Sequence, residues 1–287
     1  MHPMRTAIML GICVTCLGTA EAGTIRGTQH NDVITGTKGA DTIYGLGGYD
    51  KINGAGGNDT IYGGPIKDVI RGGTGNDRMF GQGGNDLIYT DYGADYADGG
   101  IGDDRIYAIA FTGWQPGMAW GQAGGASTVL GGPGNDSIRV VGRGIDAYGG
   151  DGDDSLAFYS GPDENAYLAP FGAARWTGGA GHDTISIRVD TSPNSPALFV
   201  SVTDFHQGED TLDIVGFERF ANLAEMIALF DVNHDGHLSA AGDGLLIVNG
   251  NCQATFKTNA AGKVIGLELK LLGQDQIWLQ GVADLAP

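Results

Sequence analysis

Residues 27–107 read GTQHNDVIT GTKGADTIY GLGGYDKIN GAGGNDTIY GGPIKDVIR GGTGNDRMF GQGGNDLIY TDYGADYAD GGIGDDRIY, nine nonapeptides that follow one another without a slip. Position six is always aspartate: Asp32, Asp41, Asp50, Asp59, Asp68, Asp77, Asp86, Asp95 and Asp104. Position eight is Ile in seven units, with Met79 and Ala97 as the exceptions. A fixed short period means that one supersecondary unit is stacked many times, each copy burying the face of its neighbour. Each unit reads as a six-residue turn followed by a three-residue strand. Glycine at positions one and four is expected to permit positive φ, so that the turn bends tightly and aims its carbonyls inward. In the strand the middle side chain points to one face and its neighbours to the other. The Ile column is therefore the interior, and position nine, often Tyr, faces out.

The rest of the composition agrees with placed rather than scattered glycine. The chain has 287 residues with 52 Gly, yet 41% are hydrophobic, enough for a core. It holds 28 Asp against 6 Glu, and its formal charge is −18. A solvated acidic surface would use both acids, whereas short-armed Asp suits turns and hard-cation sites where the backbone also supplies oxygens. The same charge argues against nucleic acid as a partner, since phosphate requires a basic face.

The pattern resembles the RTX, or repeats-in-toxin, family of haemolysin-type calcium-binding nonapeptide repeats. The resemblance implies an all-β fold, a right-handed parallel β-roll in which two nonapeptides make one coil, and turns eighteen residues apart stacked on one edge. Asp32, Asp50, Asp68, Asp86 and Asp104 would line one edge, and Asp41, Asp59, Asp77 and Asp95 the other. Ca2+ would lie between consecutive turns, held by these side chains and by the glycine-rich carbonyls of Gly36, Gly39, Gly45, Gly48, Gly54, Gly57, Gly72, Gly75, Gly81, Gly84, Gly99 and Gly102. The two edges offer about seven gaps of the oxygen-rich kind that Ca2+ takes. Two units depart from the pattern: Ile66 stands at position four, and Thr90 at position one. Neighbouring coils sit about 4.8 Å apart, so each stacked carboxylate pair repels by roughly 3 kcal/mol at an effective dielectric near 20. Binding and folding are then expected to be a single event.

Beyond Tyr107 the pattern blurs, keeps register with Ser127 in place of Asp, and recovers at GGPGNDSIR with Asp136, GGDGDDSLA with Asp154 and GGAGHDTIS with Asp183. VVGRGIDAY between the first two misplaces Asp146 by one residue. A roll over 23–197 with loops near 108–121 and 158–177 is expected. VTDFHQGEDTLDIVGF, residues 202–217, resembles the segment that closes many RTX rolls, with Asp204, Asp210 and Asp213 as candidate caps. Residues 198–287 read as a capping region with one helix and several strands. Its helix, 218–230, carries Phe220, Leu223, Ile227 and Phe230 at helical spacing. The loop DVNHDGHLSAAGD, 231–243, has the EF-hand arrangement of Asp231, Asn233, Asp235, the His237 carbonyl and Ser239, but Gly242 where the bidentate acid belongs, with Asp243 one residue late. The strands are LLIVN, QATFK, VIGLELKLL and QIWLQGV.

At the start, one Arg, an apolar run from Ala7 to Leu17 and Ala20-Glu21-Ala22 read as a secretory signal peptide, 1–22, of bacterial-type export. Its removal takes Cys13 and Cys16 and leaves Cys252 without an intrachain partner. No apolar run is long enough for a spanning helix. No HExxH or GxSxG motif appears, so the expectation is a secreted, non-enzymatic calcium-binding protein with a binding or structural role at the cell surface or in the medium. Its partners would be Ca2+ and a cell-surface polysaccharide or protein. The alternative is an accessory or non-catalytic remnant of an RTX exoenzyme, or a membrane-active toxin-like protein.

Overall fold

A computed structural model of the chain describes residues 6–8, 14–15, 22–110, 126–142, 144–159, 174–188, 199–206, 209–215, 227, 238–239, 246–249, 252–261, 263–270, 276–280 and 284–285. Alternate strands fall into two parallel sheets. The first contains β1 (Thr6–Ile8), β3 (Thr24–Arg26), β5 (Thr42–Tyr44), β7 (Thr60–Gly64), β9 (Arg78–Gly83), β11 (Tyr96–Ile101), β13 (Ser127–Pro133), β15 (Ile145–Asp151), β17 (Ala174–Ala180) and β19 (Phe199–Val202). The second contains β2 (Val14–Thr15), β4 (Val33–Thr35), β6 (Lys51–Asn53), β8 (Val69–Thr74), β10 (Leu87–Tyr92), β12 (Arg105–Ala110), β14 (Ser137–Gly142), β16 (Ser155–Tyr159), β18 (Thr184–Arg188) and β20 (Thr211–Val215). This is the parallel β-roll expected from the repeats.

The period fixes the register. Ile25 pairs with Ile43, Ile43 with Ile61, and Ile61 with Met79, while Ile34, Ile52, Ile70, Ile88 and Ile106 pair in the opposite sheet. All of these side chains are at most 3% exposed. Each coil thus places two apolar residues face to face between the sheets, and burying one such side chain contributes about 1.5–3 kcal/mol. No coil could achieve this alone.

Two insertions enter without disturbing that register. Ile106 pairs with Ile138 and Leu156 with Ile185, so the ladder continues rung to rung although these partners stand 32 and 29 residues apart. The strands reach further than expected: Ala108 to Ala110, Phe158 and Tyr159, and Ala174 to Thr177 lie in β12, β16 and β17 rather than in loops. Longer strands follow the apolar alternation Ile106-Ala108, Ile138-Val140 and Leu156-Phe158, and all of these side chains are buried, as is Trp176 on β17.

The C-terminal strands were legible. β22 (Leu246–Asn249), β23 (Cys252–Thr258), β24 (Val264–Lys270) and β25 (Gln276–Gln280) form an antiparallel series, and β25 pairs parallel with β19. The first sheet therefore continues past the last coil instead of ending at an open edge. The expected helix lies outside the described residues except for Ile227, which is helical and buried. The EF-hand-like loop, with Asp231, Asn233, Asp235 and His237, also lies outside them, apart from β21 (Leu238–Ser239), which pairs with β26 (Asp284–Leu285). Within the segment read as a leader, β1 and β2 pair with β3 and β4.

Candidate metal centre

The functional side chains sit where turn meets strand. Every position-six Asp from Asp32 to Asp104, with Asp136, Asp154 and Asp183, is at most 3% exposed. Aspartate so buried requires a reason, because an ionised carboxylate taken out of water is costly unless paired.

One oxygen of each carboxylate is accounted for within the protein. On the first edge, Oδ1 of Asp50 accepts the Asp32 N–H at 2.8 Å, and the same bond repeats from Asp50 to Asp68, Asp68 to Asp86, and Asp86 to Asp104 at 2.6–2.7 Å. The ladder does not stop at the insertions. Asp104 N–H reaches Asp136, Asp136 N–H reaches Asp154, Asp154 N–H reaches Asp183, and Asp183 N–H reaches Asp210 at 3.1 Å. On the second edge the ladder runs through Asp41, Asp59, Asp77 and Asp95, then ends where Asp95 N–H donates to Ser127 Oγ at 3.0 Å. Past Ser127 the equivalent position is Ile145, which is buried.

The other oxygen is the orphan. Oδ2 of Asp50, Asp59, Asp68, Asp77, Asp86, Asp95, Asp104, Asp136, Asp154 and Asp183 is buried with no hydrogen-bond partner. At both ends of the ladder this changes. Asp32 Oδ2 accepts from Thr28 N at 2.6 Å and Thr28 Oγ1 at 2.9 Å, and Asp41 Oδ2 accepts likewise from Thr37. Asp210 Oδ2 accepts from His206 N at 2.6 Å. In these end turns a position-two N–H satisfies Oδ2, although Oδ1 of Asp32 stays buried without a partner; in the turns between them Oδ2 has no such donor.

The glycines explain the difference and correct one expectation. Position-one glycines such as Gly45 and Gly81 do not have positive φ. A Cβ on Gly45 would instead run into the carbonyl oxygen of Gly63 and Asp50 Oδ2, so glycine there keeps open the space beside the orphan oxygen. The left-handed residues are at positions four and two: Gly48 and Gly57 at φ 101°, and even Leu46 at 83°, Ala55 at 75°, Gln82 at 80° and Asp91 at 60°. The position-two N–H is thereby turned away from its own Asp; that of Leu46 donates to Gly63 O at 3.1 Å.

Burial, more than any neighbouring charge, pushes these carboxyls up: Asp50, Asp77 and Asp104 to about 6, Asp59, Asp68, Asp95, Asp136 and Asp154 to about 7, and Asp86 to about 8. The adjoining Asp carboxylates raise several of them further, while the ladder N–H bonds pull the other way. A row of orphaned anionic oxygens amid main-chain carbonyls fits a hard divalent cation. Among the described residues no three His, Cys, Asp or Glu side chains group together, so an ion in this row would draw on main-chain carbonyls as well as carboxylates.

The two departures from the repeat keep the ladder: Ile66 projects outward at 49% exposure beside an undisturbed Asp68, and Thr90 is fully buried at position one. Sequence reasoning left Asp210 and Asp204 as bare candidates for the cap. Asp210 is the last rung, and Asp204 accepts both Gly178 N and Gly179 N at 2.8 Å. Asp213 instead occupies an outward position on β20, in line with Ser186.

A comparison with curated proteins finds no match. A protein-family model matches the chain in four copies, over residues 17–52, 26–61, 62–91 and 80–108, and its description is the RTX calcium-binding nonapeptide repeat. Through residues 17–108 this chain is built of RTX calcium-binding repeats.

Proposed function

We propose that this is a secreted calcium-binding repeat protein in which ion binding and formation of the β-roll are one event, with a binding or structural role at the cell surface or in the medium. The observation that carries the reading is the set of ten orphaned, buried Asp Oδ2 atoms. Ionised and unpaired, they oppose the fold; Ca2+ supplies the positive charge and the coordination they lack. Asp50, Asp68, Asp86, Asp104, Asp136, Asp154 and Asp183 would hold ions along one edge, and Asp59, Asp77 and Asp95 along the other, with carbonyls of the glycine turns completing each shell. Asp41 and Asp210 close the rows through Thr37 and His206 without an ion, whereas Asp32, bonded to Thr28 at Oδ2 but with a buried, unpartnered Oδ1, remains a ligand at the start of its edge.

Export follows from the same physics. Extracellular modules bind Ca2+ at about 0.1–1 mM, so in a calcium-poor cytoplasm the row stays uncompensated and the chain stays unfolded until it leaves.

The test is far-UV circular dichroism of the purified chain titrated with Ca2+ at neutral pH. The signal should pass from coil-like to β-rich at sub-millimolar to millimolar ion, with Mg2+ a poor substitute because it demands smaller octahedral cages. A full β signal in excess chelator would overturn the reading.

A further inference from the structure

The two outer faces of the roll differ in charge. On the second sheet, register places Val33, Lys51, Val69, Leu87, Arg105 and Ser137 in one outward column. A second column runs Thr35, Asn53, Arg71, Tyr89, Tyr107 and Arg139. Continued through Ser155, Ala157, Thr184 and Ser186, neither column contains a carboxylate until Asp213. In a chain of formal charge −18 these two columns hold Lys51, Arg71, Arg105 and Arg139 with no carboxylate as far as Ser186, whereas the outer columns of the first sheet mix Arg26, Arg78 and Arg175 with Asp98 and Asp146. Lys51, Arg71 and Arg105 are exposed. From β6 to β14 the four cations span five rungs, roughly 19 Å at the usual strand spacing.

We infer that this face is a docking strip for a linear acidic polysaccharide. The strip is two side chains wide and runs over five rungs, and its turn edge carries the exposed Asp103 and Asp153, so it matches a charged thread better than a charged plane. It is also a poor platform for bases or neutral sugars, which need open aromatic faces. Tyr89 has none to offer: the Arg71 guanidinium lies 4.1 Å from its centroid, and Tyr107 stacks against it at 5.0 Å with 11° between the planes. These rings act as a rigid support that holds Arg71 in place, and recognition falls to cation–carboxylate or cation–sulfate pairs. Asp91, which lies on β10 opposite Gly73 beside the strip, contacts Arg71 at 3.6 Å and leaves its guanidinium side chain 47% exposed.

The inference rests on calcium-driven folding and deepens it. Without ions the chain both lacks the strip and repels a polyanion over a Debye length of about 8 Å at physiological salt. About seven to ten bound Ca2+ would offset most of the formal charge, so docking becomes calcium-dependent through long-range charge as well as through the fold.

Fluorescence anisotropy of labelled hyaluronate, with dextran as the neutral control, tests this on the full calcium-loaded chain, and circular dichroism monitors the β-roll in each sample. Binding that weakens with salt, falls roughly tenfold or more in Lys51→Glu/Arg105→Glu, and is unchanged in Arg78→Glu on the opposite face supports the strip. A chain that folds with Ca2+ yet ignores hyaluronate overturns the strip and leaves calcium-driven folding intact; a chain that is already folded in chelator overturns the calcium reading instead. Equal losses from Arg78→Glu, or tighter binding to anionic lipid vesicles or single-stranded DNA than to hyaluronate, also overturn it.

Discussion

Ala55, at φ 75°, sits in a backbone region that costs an L-residue about 1–2 kcal/mol. Ala55→Gly removes that strain but adds about 0.5–1 kcal/mol of unfolded-chain entropy. The net gain is on the order of 0.5 kcal/mol, read as a slightly lower calcium midpoint by circular dichroism. Gly45→Ala should do the opposite and by much more, since its new methyl would meet the Gly63 carbonyl and Asp50 Oδ2 and deny the ion its space. A midpoint unchanged by Gly45→Ala would mean that position-one glycine has no steric role. The letters of the repeat announced Asp at position six plainly, because nothing else recurs there. They hid the division of labour among the glycines: positive φ and close approach both select Gly, and the residues at the left-handed second position include Leu46, Ala55, Gln82 and Asp91, which no propensity argument would pick out.

Coils, not single repeats, are the elements of this molecule, and their two edges are unequal. The first edge carries Asp at every rung from Asp32 to Asp210, while the second turns to Ser127 and Ile145. Asp154→Ala should therefore raise the calcium midpoint and lower the bound calcium measured by equilibrium dialysis, to the same extent as expected for Asp86→Ala, even though it lies beyond the residues matched by the family model. Asp146→Ala, on an outward position of β15, should leave both unchanged. Equal effects from Asp154 and Asp146 would separate the ladder from ion binding. Each repeat on this edge was visible in the sequence, and so was its Asp. That Asp154 follows Asp136 by one coil was visible too; that Asp104 stacks on Asp136 and Asp154 on Asp183 was not, because insertions stretch those spacings to 32 and 29 residues and hide the periodicity.

For the whole molecule the decisive quantity is the charge state of the buried row. Carboxyls such as Asp59, Asp68, Asp86 and Asp95, pushed by burial from 3.8 to about 7 or 8, bind protons more tightly in the folded chain than in the unfolded one. Their contribution to the metal-free fold is then fully present below about pH 4 and is lost as pH rises through roughly 6 to 8. A proton on Oδ2 removes the unpaired charge much as an ion would. In excess chelator, β content should accordingly be greater at pH 4.5 than at pH 8. With calcium the sense reverses: coordination needs the carboxylate, so protons compete and the calcium midpoint should climb as pH falls from 8 to 5. Circular dichroism across that range, with and without chelator, measures both slopes. A metal-free β signal that grew with rising pH would contradict the burial of these acids, and a calcium midpoint independent of pH would mean that the Asp ladder is not what the ion binds.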